Sequence, residues 1–141
     1  MRHHKPLFLS ATLATLLASC ASNPMHSKDD ILTETLRSYG ATIRWGDVAR
    51  AQAFIDPKVL AERPPSQLDL ARFQQVRITG YSEQTPVPVG ENEVRQVVEI
   101  GLVNVNTQAA RSVIDHQIWR YDEATKHWWL TTGLPDITQS Q

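Results

Sequence analysis

Residues 93–106, EVRQVVEIGLVNVN, and residues 111–121, RSVIDHQIWRY, decide the fold of this chain of 141 residues. Both are rich in β-branched residues, and the second places Val113 and Trp119 on one side and Ile114 on the other. This period of two is typical of β-strands. The alternation of the first stretch slips near Gly101, which predicts a β-bulge or a strong bend there.

The flanking segments extend the strand pattern in both directions. Residues 75–83 predict a strand with Val76 and Ile78 on one side and Tyr81 on the other, followed by a turn at residues 86–90. After residue 121, a turn leads into a closing strand over residues 127–132, which contains two adjacent tryptophans. Adjacent strand residues point to opposite faces. We therefore expect one tryptophan in the core, and the other either packed across strands or exposed to a partner.

The first half of the chain is helical in pattern. Ser27 is a candidate N-cap, with Asp29 and Asp30 in the first turn, where carboxylates are favoured by the helix dipole. Apolar residues follow at helical spacing to Ile43. A second helix is predicted over Val48–Ile55, ended by the Asp56-Pro57 step. The pair Pro64-Pro65 predicts a loop, and residues 66–72 predict one more helical turn.

Helices followed by antiparallel strands predict one α+β domain over residues 28–135, with a flexible tail at residues 136–141. We expect N-terminal helices packed on a curved, mostly antiparallel sheet of three to four strands. The amphipathic first helix, the step at residues 45–48, the exit at residues 54–57 and the Trp-rich hairpin resemble the nuclear transport factor 2-like or ketosteroid-isomerase-like cone fold. One strand expected between the helices and Phe73 is missing or very short.

The cone resemblance implies a pocket between the sheet and the helices, lined in the enzymes by Asp, His, Tyr or Arg. Matching candidates in this sequence are Asp115, His116, Tyr81 and Trp119, with Glu99, Tyr39 and Trp45 as further candidates. Asp115 shares a face with Val113 and Trp119, so desolvation would raise its pKa and suit it to act as a general base. The favoured alternative places that face at the solvent, because Gln117 shares it.

The N-terminus has the pattern of an export signal. Arg2 and Lys5 precede the apolar run Leu7–Ala18, which is shorter than the roughly 20 residues that a membrane-spanning helix needs. The run ends in Leu17-Ala18-Ser19-Cys20, which resembles the bacterial lipobox, and Cys20 is the only cysteine. The resemblance implies a signal peptide over residues 1–19, cleavage between Ser19 and Cys20, and lipid on the Cys20 sulfur. We therefore expect the chain to be anchored in a membrane.

Residues 20–27 then form the lipidated cysteine and its tether. Ala-Ser-Asn-Pro-Met-His-Ser over residues 21–27 is small and polar, and it reaches about 25 Å at most when extended. Ala21 follows the cysteine where Asp is the usual signal for retention in the inner membrane. By analogy we expect the outer membrane, with the domain facing the periplasm.

Composition argues against several classes of function. Removing residues 1–19 takes two positive charges from a net charge of −1 and leaves about −3, so no basic excess remains for nucleic acid. Three histidines in the mature chain have no metal-ligand spacing, and no cofactor motif is present.

Two hypotheses about function remain. The first is a non-catalytic envelope lipoprotein that binds another envelope protein or a small ligand, with a homodimer expected by analogy to cone folds. The second is a small pocket enzyme, an isomerase or dehydratase, that uses Asp115 or His116 as its base.

Overall fold

The computed structural model describes residues 27–139. Helices occupy the first part of this range: α1 (Lys28–Arg44), α2 (Val48–Ala51), a 3₁₀ turn (Gln52–Phe54), α3 (Pro57–Glu62) and α4 (Gln67–Phe73). Strands follow: β1 (Val76–Glu83), β2 (Val87–Pro88), β3 (Glu93–Asn104), β4 (Ala110–Asp122) and β5 (His127–Leu130). The strand order is β1-β3-β4-β5, every pairing is antiparallel, and β2 extends the β1 edge along β3. The predicted α+β class, with helices before a curled antiparallel sheet, is confirmed.

Side-chain caps fix where the helices begin. The Ser27 hydroxyl accepts a hydrogen bond from the Asp30 backbone N–H, and the Asp30 carboxylate accepts one from the Ser27 N–H, forming a capping box at α1. Ser66 and Asp69 form the same reciprocal pair at α4. Both caps satisfy backbone donors that the first turn of a helix would otherwise leave without partners.

The region between α1 and α4 corrects two sequence predictions. The helix predicted over Val48–Ile55 is regular only to Ala51 and tightens into the 3₁₀ turn. The step at Asp56-Pro57 does end that helix, but it also begins α3, which the sequence analysis missed. Proline is favoured in the first turn of a helix, and the Asp56 carboxylate caps it by accepting the Lys58 N–H at 2.8 Å.

The β-bulge lies in β1, opposite the place where the sequence predicted it. Strand β3 alternates without a break, whereas on β1 Ile78 pairs with Leu102 and Gly80 pairs with Gly101, which leaves Thr79 as an extra residue. A Cβ at Gly101 would lie 2.9 Å from the Thr79 hydroxyl oxygen, so glycine leaves room for the bulge. The extra residue brings Tyr81 onto the same face as Ile78, which corrects the predicted opposite facing.

The core lies between α1 and the concave face of the sheet. Helix α1 buries Leu36, Tyr39, Gly40 and Ile43 against it. The strands and the remaining segments contribute Tyr81, Val94, Val98, Ile100, Leu102, Val113, Trp119, Tyr121, Trp128 and Leu130, with Ala51, Ile55 and Ile137. Trp128 is buried, while Trp129 is half-buried on the other face and its ring centroid lies 4.0 Å from that of His127.

The C-terminal segment is packed as far as it is described. Ile137, inside the predicted tail, is buried in the core, and its carbonyl accepts a hydrogen bond from the Arg111 guanidinium. The same guanidinium donates to the Gln139 carbonyl at 3.1 Å. The packed unit therefore continues past Pro135.

Replacing Gly40 tests how closely α1 approaches the sheet. A Cβ at Gly40 would lie 2.9 Å from Tyr81 Cε1, so Gly40→Ala should overpack this contact. We expect a loss of about 1–2 kcal/mol in the free energy of unfolding, because the cost of overpacking exceeds the stability gained from the higher helix propensity of alanine. In a Tyr81→Ala background the same change should instead stabilise by up to about 1 kcal/mol. Urea unfolding of the four proteins measures both values, and stabilisation in the wild-type background would contradict the packing described.

Candidate functional site

Four polar side chains meet on the concave face beneath α1. Asp115 and Gln117 come from β4, where residues of odd number face the interior, and Tyr81 comes from β1 next to the bulge. Tyr39 comes from the buried face of α1. We call these four residues the polar cluster, and Trp119 borders it.

Gln117 holds the polar cluster together. Its side-chain Nε2 donates to the Asp115 carboxylate at 2.8 Å and to the Tyr81 hydroxyl at 3.0 Å. Its Oε1 accepts from the Trp119 indole N–H at 3.0 Å. Both donors and the acceptor of the amide are thus used, as burial of a polar group requires.

Tyr39 is fully buried above the other three members. Its ring packs edge-on against Trp119 at 5.2 Å and against Phe54 at 5.4 Å between ring centroids. Its hydroxyl has no hydrogen-bond partner among residues 27–139. The aromatic contacts, and not a hydrogen bond, therefore hold this tyrosine in place.

Burial dominates the electrostatics of the polar cluster. Desolvation raises the pKa of Asp115 from 3.8 to about 6, against smaller opposing effects of the Gln117 hydrogen bond and the His116 charge. Desolvation also raises the pKa of Tyr81 and that of Tyr39, and the nearby Asp115 carboxylate raises both further. Both tyrosines are therefore neutral near pH 7, and Asp115 changes its charge close to pH 6.

The structure brings together only some of the predicted site residues. Asp115, Tyr81 and Trp119 share the concave face, so the favoured prediction that Asp115 faces solvent is wrong. His116 is exposed on the opposite face and cannot join them, because the side chains of adjacent strand residues point apart. Glu99 is exposed, and Trp45 is 85% exposed.

Sequence reasoning missed the role of Gln117. It treated the amide as a sign of a solvated face, although Gln117 is only 1% exposed. The spacing of two from both Asp115 and Trp119 is the signal that could have found it, since a buried tryptophan fixes which face is interior.

The polar cluster is closed to ligands in this conformation. None of three surface cavities on the described part of the chain is lined by a member of the cluster. Over the same residues, no group of three or more His, Cys, Asp or Glu side chains could hold a metal ion. No helix within residues 27–139 is long and apolar enough to cross a membrane.

Comparison with known proteins gives a fold and no family. No protein-family model matches the chain, and no curated protein matches it. Among solved structures it is similar to a SEC-C motif containing protein from Psychrobacter arcticus, with a TM-score of 0.56 and 12% sequence identity. The match covers 94% of this chain and 81% of the other. At this identity the likeness shows the fold alone.

The raised pKa of Asp115 predicts a pH-dependent stability. The folded pKa of Asp115, about 6, exceeds the unfolded value of 3.8. The free energy of unfolding that protonated Asp115 contributes is therefore fully present below pH 3.8 and is lost as pH rises through 6. Asp115→Asn should remove this dependence and be more stable than the wild type at pH 7.5 by up to about 3 kcal/mol. Urea unfolding between pH 4 and pH 7.5 measures the difference.

A matched control is Glu99→Gln, which neutralises an exposed carboxylate on the outer face of the same sheet. It should leave the pH dependence of the wild type unchanged. If the difference in the free energy of unfolding between Asp115→Asn and the wild type stayed constant across this pH range, Asp115 would not be desolvated as described.

Proposed function

We propose that this protein is a bacterial lipoprotein, anchored through lipid on Cys20, whose α+β domain binds an envelope protein or a small ligand without catalysis. The anchor rests on the sequence Leu17-Ala18-Ser19-Cys20, which lies outside the described residues. Two or three acyl chains on one residue suffice for stable anchoring, because each buried CH₂ contributes roughly 0.8 kcal/mol.

One observation carries the non-catalytic part of the proposal. The best candidate for a general base, Asp115, is hydrogen-bonded to Gln117 and lines none of the three cavities. A base must come within hydrogen-bond reach of the proton that it removes. Binding at the surface of the domain therefore fits the geometry better than chemistry at its centre.

The start of α1 supports a close attachment to the bilayer. The Lys28 ammonium contacts the Glu91 carbonyl and the Asn92 side chain, and it lies 4.8 Å from the Tyr121 ring centroid. The Trp128 indole donates to the Lys28 carbonyl at 3.1 Å. The tether over residues 21–27 reaches about 25 Å at most when extended. The β2–β3 loop and the β4–β5 turn would then face the membrane, with Ala21 favouring the outer one.

A second candidate is a small isomerase or dehydratase with Asp115 as its base. A carboxylate whose pKa is about 6, beside two neutral tyrosines, suits proton transfer near neutral pH and favours this candidate. It requires α1 to move off the polar cluster so that a substrate can enter. His116 has no part in it, because this histidine lies on the outer face.

Replacing Cys20 tests the anchor. In a Gram-negative host, Cys20→Ser should abolish lipidation and release the protein from washed outer membranes, because the hydroxyl does not take the lipid. Membrane fractionation and intact-mass measurement give the result. Wild-type protein should begin at Cys20 and carry the added mass of its acyl chains.

Ser19→Ala is the matched control, since it keeps a small residue before the cysteine and should be processed like the wild type. A Cys20→Ser protein that still partitioned fully with membranes at the wild-type mass would overturn the proposed anchor.

A further inference from the structure

A groove lies at the C-terminal end of α1. It has a volume of about 250 Å³ and is formed by the end of α1, the start of α2, the end of α4 and the first three residues of β1. Helix α1 has 17 residues and is therefore about 25 Å long, which places this groove at the opposite end of the helix from Ser27 and the tether. We call it the distal groove.

Trp45 forms one wall of the distal groove and is 85% exposed, more than any other large apolar side chain within residues 27–139. Its backbone belongs to an ordered turn. The Gly46 N–H donates to the Ile43 carbonyl at 2.8 Å, and Gly46 has a φ of 72°. The Asp47 N–H donates to the Thr42 carbonyl at 3.1 Å, which completes a Schellman motif at the end of α1. An exposed tryptophan on a fixed turn is typical of a binding surface, because little ordering is left for a partner to impose.

The floor of the distal groove is apolar and follows the edge of the sheet. Ile43 belongs to the core, and Phe73, Val76 and Ile78 pack against it. Val76, Arg77 and Ile78 all line the groove, although neighbouring strand side chains point to opposite faces, so the groove runs along the edge of β1. Strand β1 is the end strand of the sheet and pairs there with β3 alone. An extended segment of another chain can pair with such an edge.

The charged side chains of the described groove wall are Arg44 and Arg77, and no Asp or Glu lines it. Both arginines are exposed, and neither guanidinium has a hydrogen bond or ion pair within residues 27–139. Arg44 lies 6.0 Å from the Tyr81 ring centroid, a contact that leaves its N–H donors free. Asp47, the acid closest to Arg44 along the chain, pairs with Arg50 at 3.7 Å. The groove therefore offers two unmatched positive charges beside an apolar floor.

From this arrangement we infer that the distal groove binds an extended acidic segment of another protein. The segment adds to the edge of β1, and one of its apolar side chains packs against Trp45 and the groove floor. Its carboxylates pair with Arg44 and Arg77, because a guanidinium matches two carboxylate oxygens. This inference rests on the proposed function, since it names the chemistry of the partner that the domain binds.

An anionic membrane is the competing occupant. An arginine close to an anionic surface strengthens binding by only about fivefold, so Arg44 and Arg77 alone would hold a bilayer weakly. A bilayer also supplies no strand for the edge of β1. In the orientation proposed above, the distal groove faces away from the anchoring membrane. A protein segment is therefore the occupant that uses the charges, the edge and the tryptophan together.

The probe is a peptide of sequence SDEIFVEDS, blocked at both ends. It is titrated by isothermal calorimetry into full-length protein in phosphatidylcholine nanodiscs, with empty nanodiscs as the blank. We expect saturable binding at one site, and at least tenfold weaker binding of SKKIFVKKS, which reverses the charges, and of SDESGSEDS, which lacks the apolar centre. Of two versions methylated on alternate backbone N–H groups, one should lose binding, because an added strand pairs through every second residue.

Variants of the protein locate the binding. Trp45→Ala should weaken it by about tenfold or more, the loss typical of a tryptophan at the centre of an interface. The double variant Arg44→Gln, Arg77→Gln should also weaken it by about tenfold or more, because each exposed ion pair contributes up to about fivefold. These side chains are exposed, so urea unfolding of the variants should match the wild type. Arg95→Gln, on the outer face of β3 and outside the three cavities, is the matched control and should bind like the wild type.

Several results would overturn the inference. These are heats equal to the blank, equal binding of SKKIFVKKS, or affinities of Trp45→Ala and the double arginine variant within twofold of the wild type. Nanodisc-held protein that ignored the peptide but sedimented with phosphatidylglycerol vesicles through Trp45 would replace the protein partner by a membrane.

The outcome is independent of the anchor. Loss of peptide binding with Cys20-dependent membrane attachment intact would remove only the inference about the partner. Peptide binding by a chain that remains attached after Cys20→Ser would remove only the lipid anchor.

Discussion

The packing of α1 across the concave face of the sheet is the contact on which the rest of the structure depends. Tyr39 lies edge-on to Trp119, and Gly40 lets the helix approach the Tyr81 ring. Tyr81 faces the helix because Thr79 is an extra residue in β1, and Gly101 leaves room for that residue. A bulge, two glycines and a pair of aromatic rings are thus parts of one arrangement, and a change in any of them alters how closely the helix lies.

This arrangement also buries polar groups, which determines what the domain can do. A buried carboxylate is costly unless hydrogen bonds compensate it, and Gln117 offsets only part of that cost for Asp115 while also binding Tyr81 and Trp119. Helix α1 covers these groups and leaves them buried. Function is therefore proposed at the outside of the domain and at the tether that ends at Ser27.

Periodicity in the sequence was enough to predict the fold class and the long strands, because a period of two over residues 111–121 is typical of a β-strand and not of a helix. Periodicity was not enough to predict α3, because the step at Asp56-Pro57 ends one helix and also begins the next. It also could not place the bulge, because alternation alone does not show which of two paired strands carries the extra residue. The interior position of Asp115 was missed for a different reason. A glutamine is usually solvated, and only the three-dimensional partners of Gln117 show why this one is buried.

The central claim is that the concave face is a filled core and not an open pocket, and hydrogen exchange at the tryptophan indoles tests it most directly. The indole N–H of Trp119 is bonded to Gln117 in the core, whereas Trp45 is 85% exposed and serves as the internal reference. Exchange followed by ¹H–¹⁵N NMR at pH 6 should show the Trp119 indole protected to the level of global unfolding, with Trp45 unprotected. Exchange of Trp119 as fast as that of Trp45 would mean that water reaches the polar cluster, and would contradict the account.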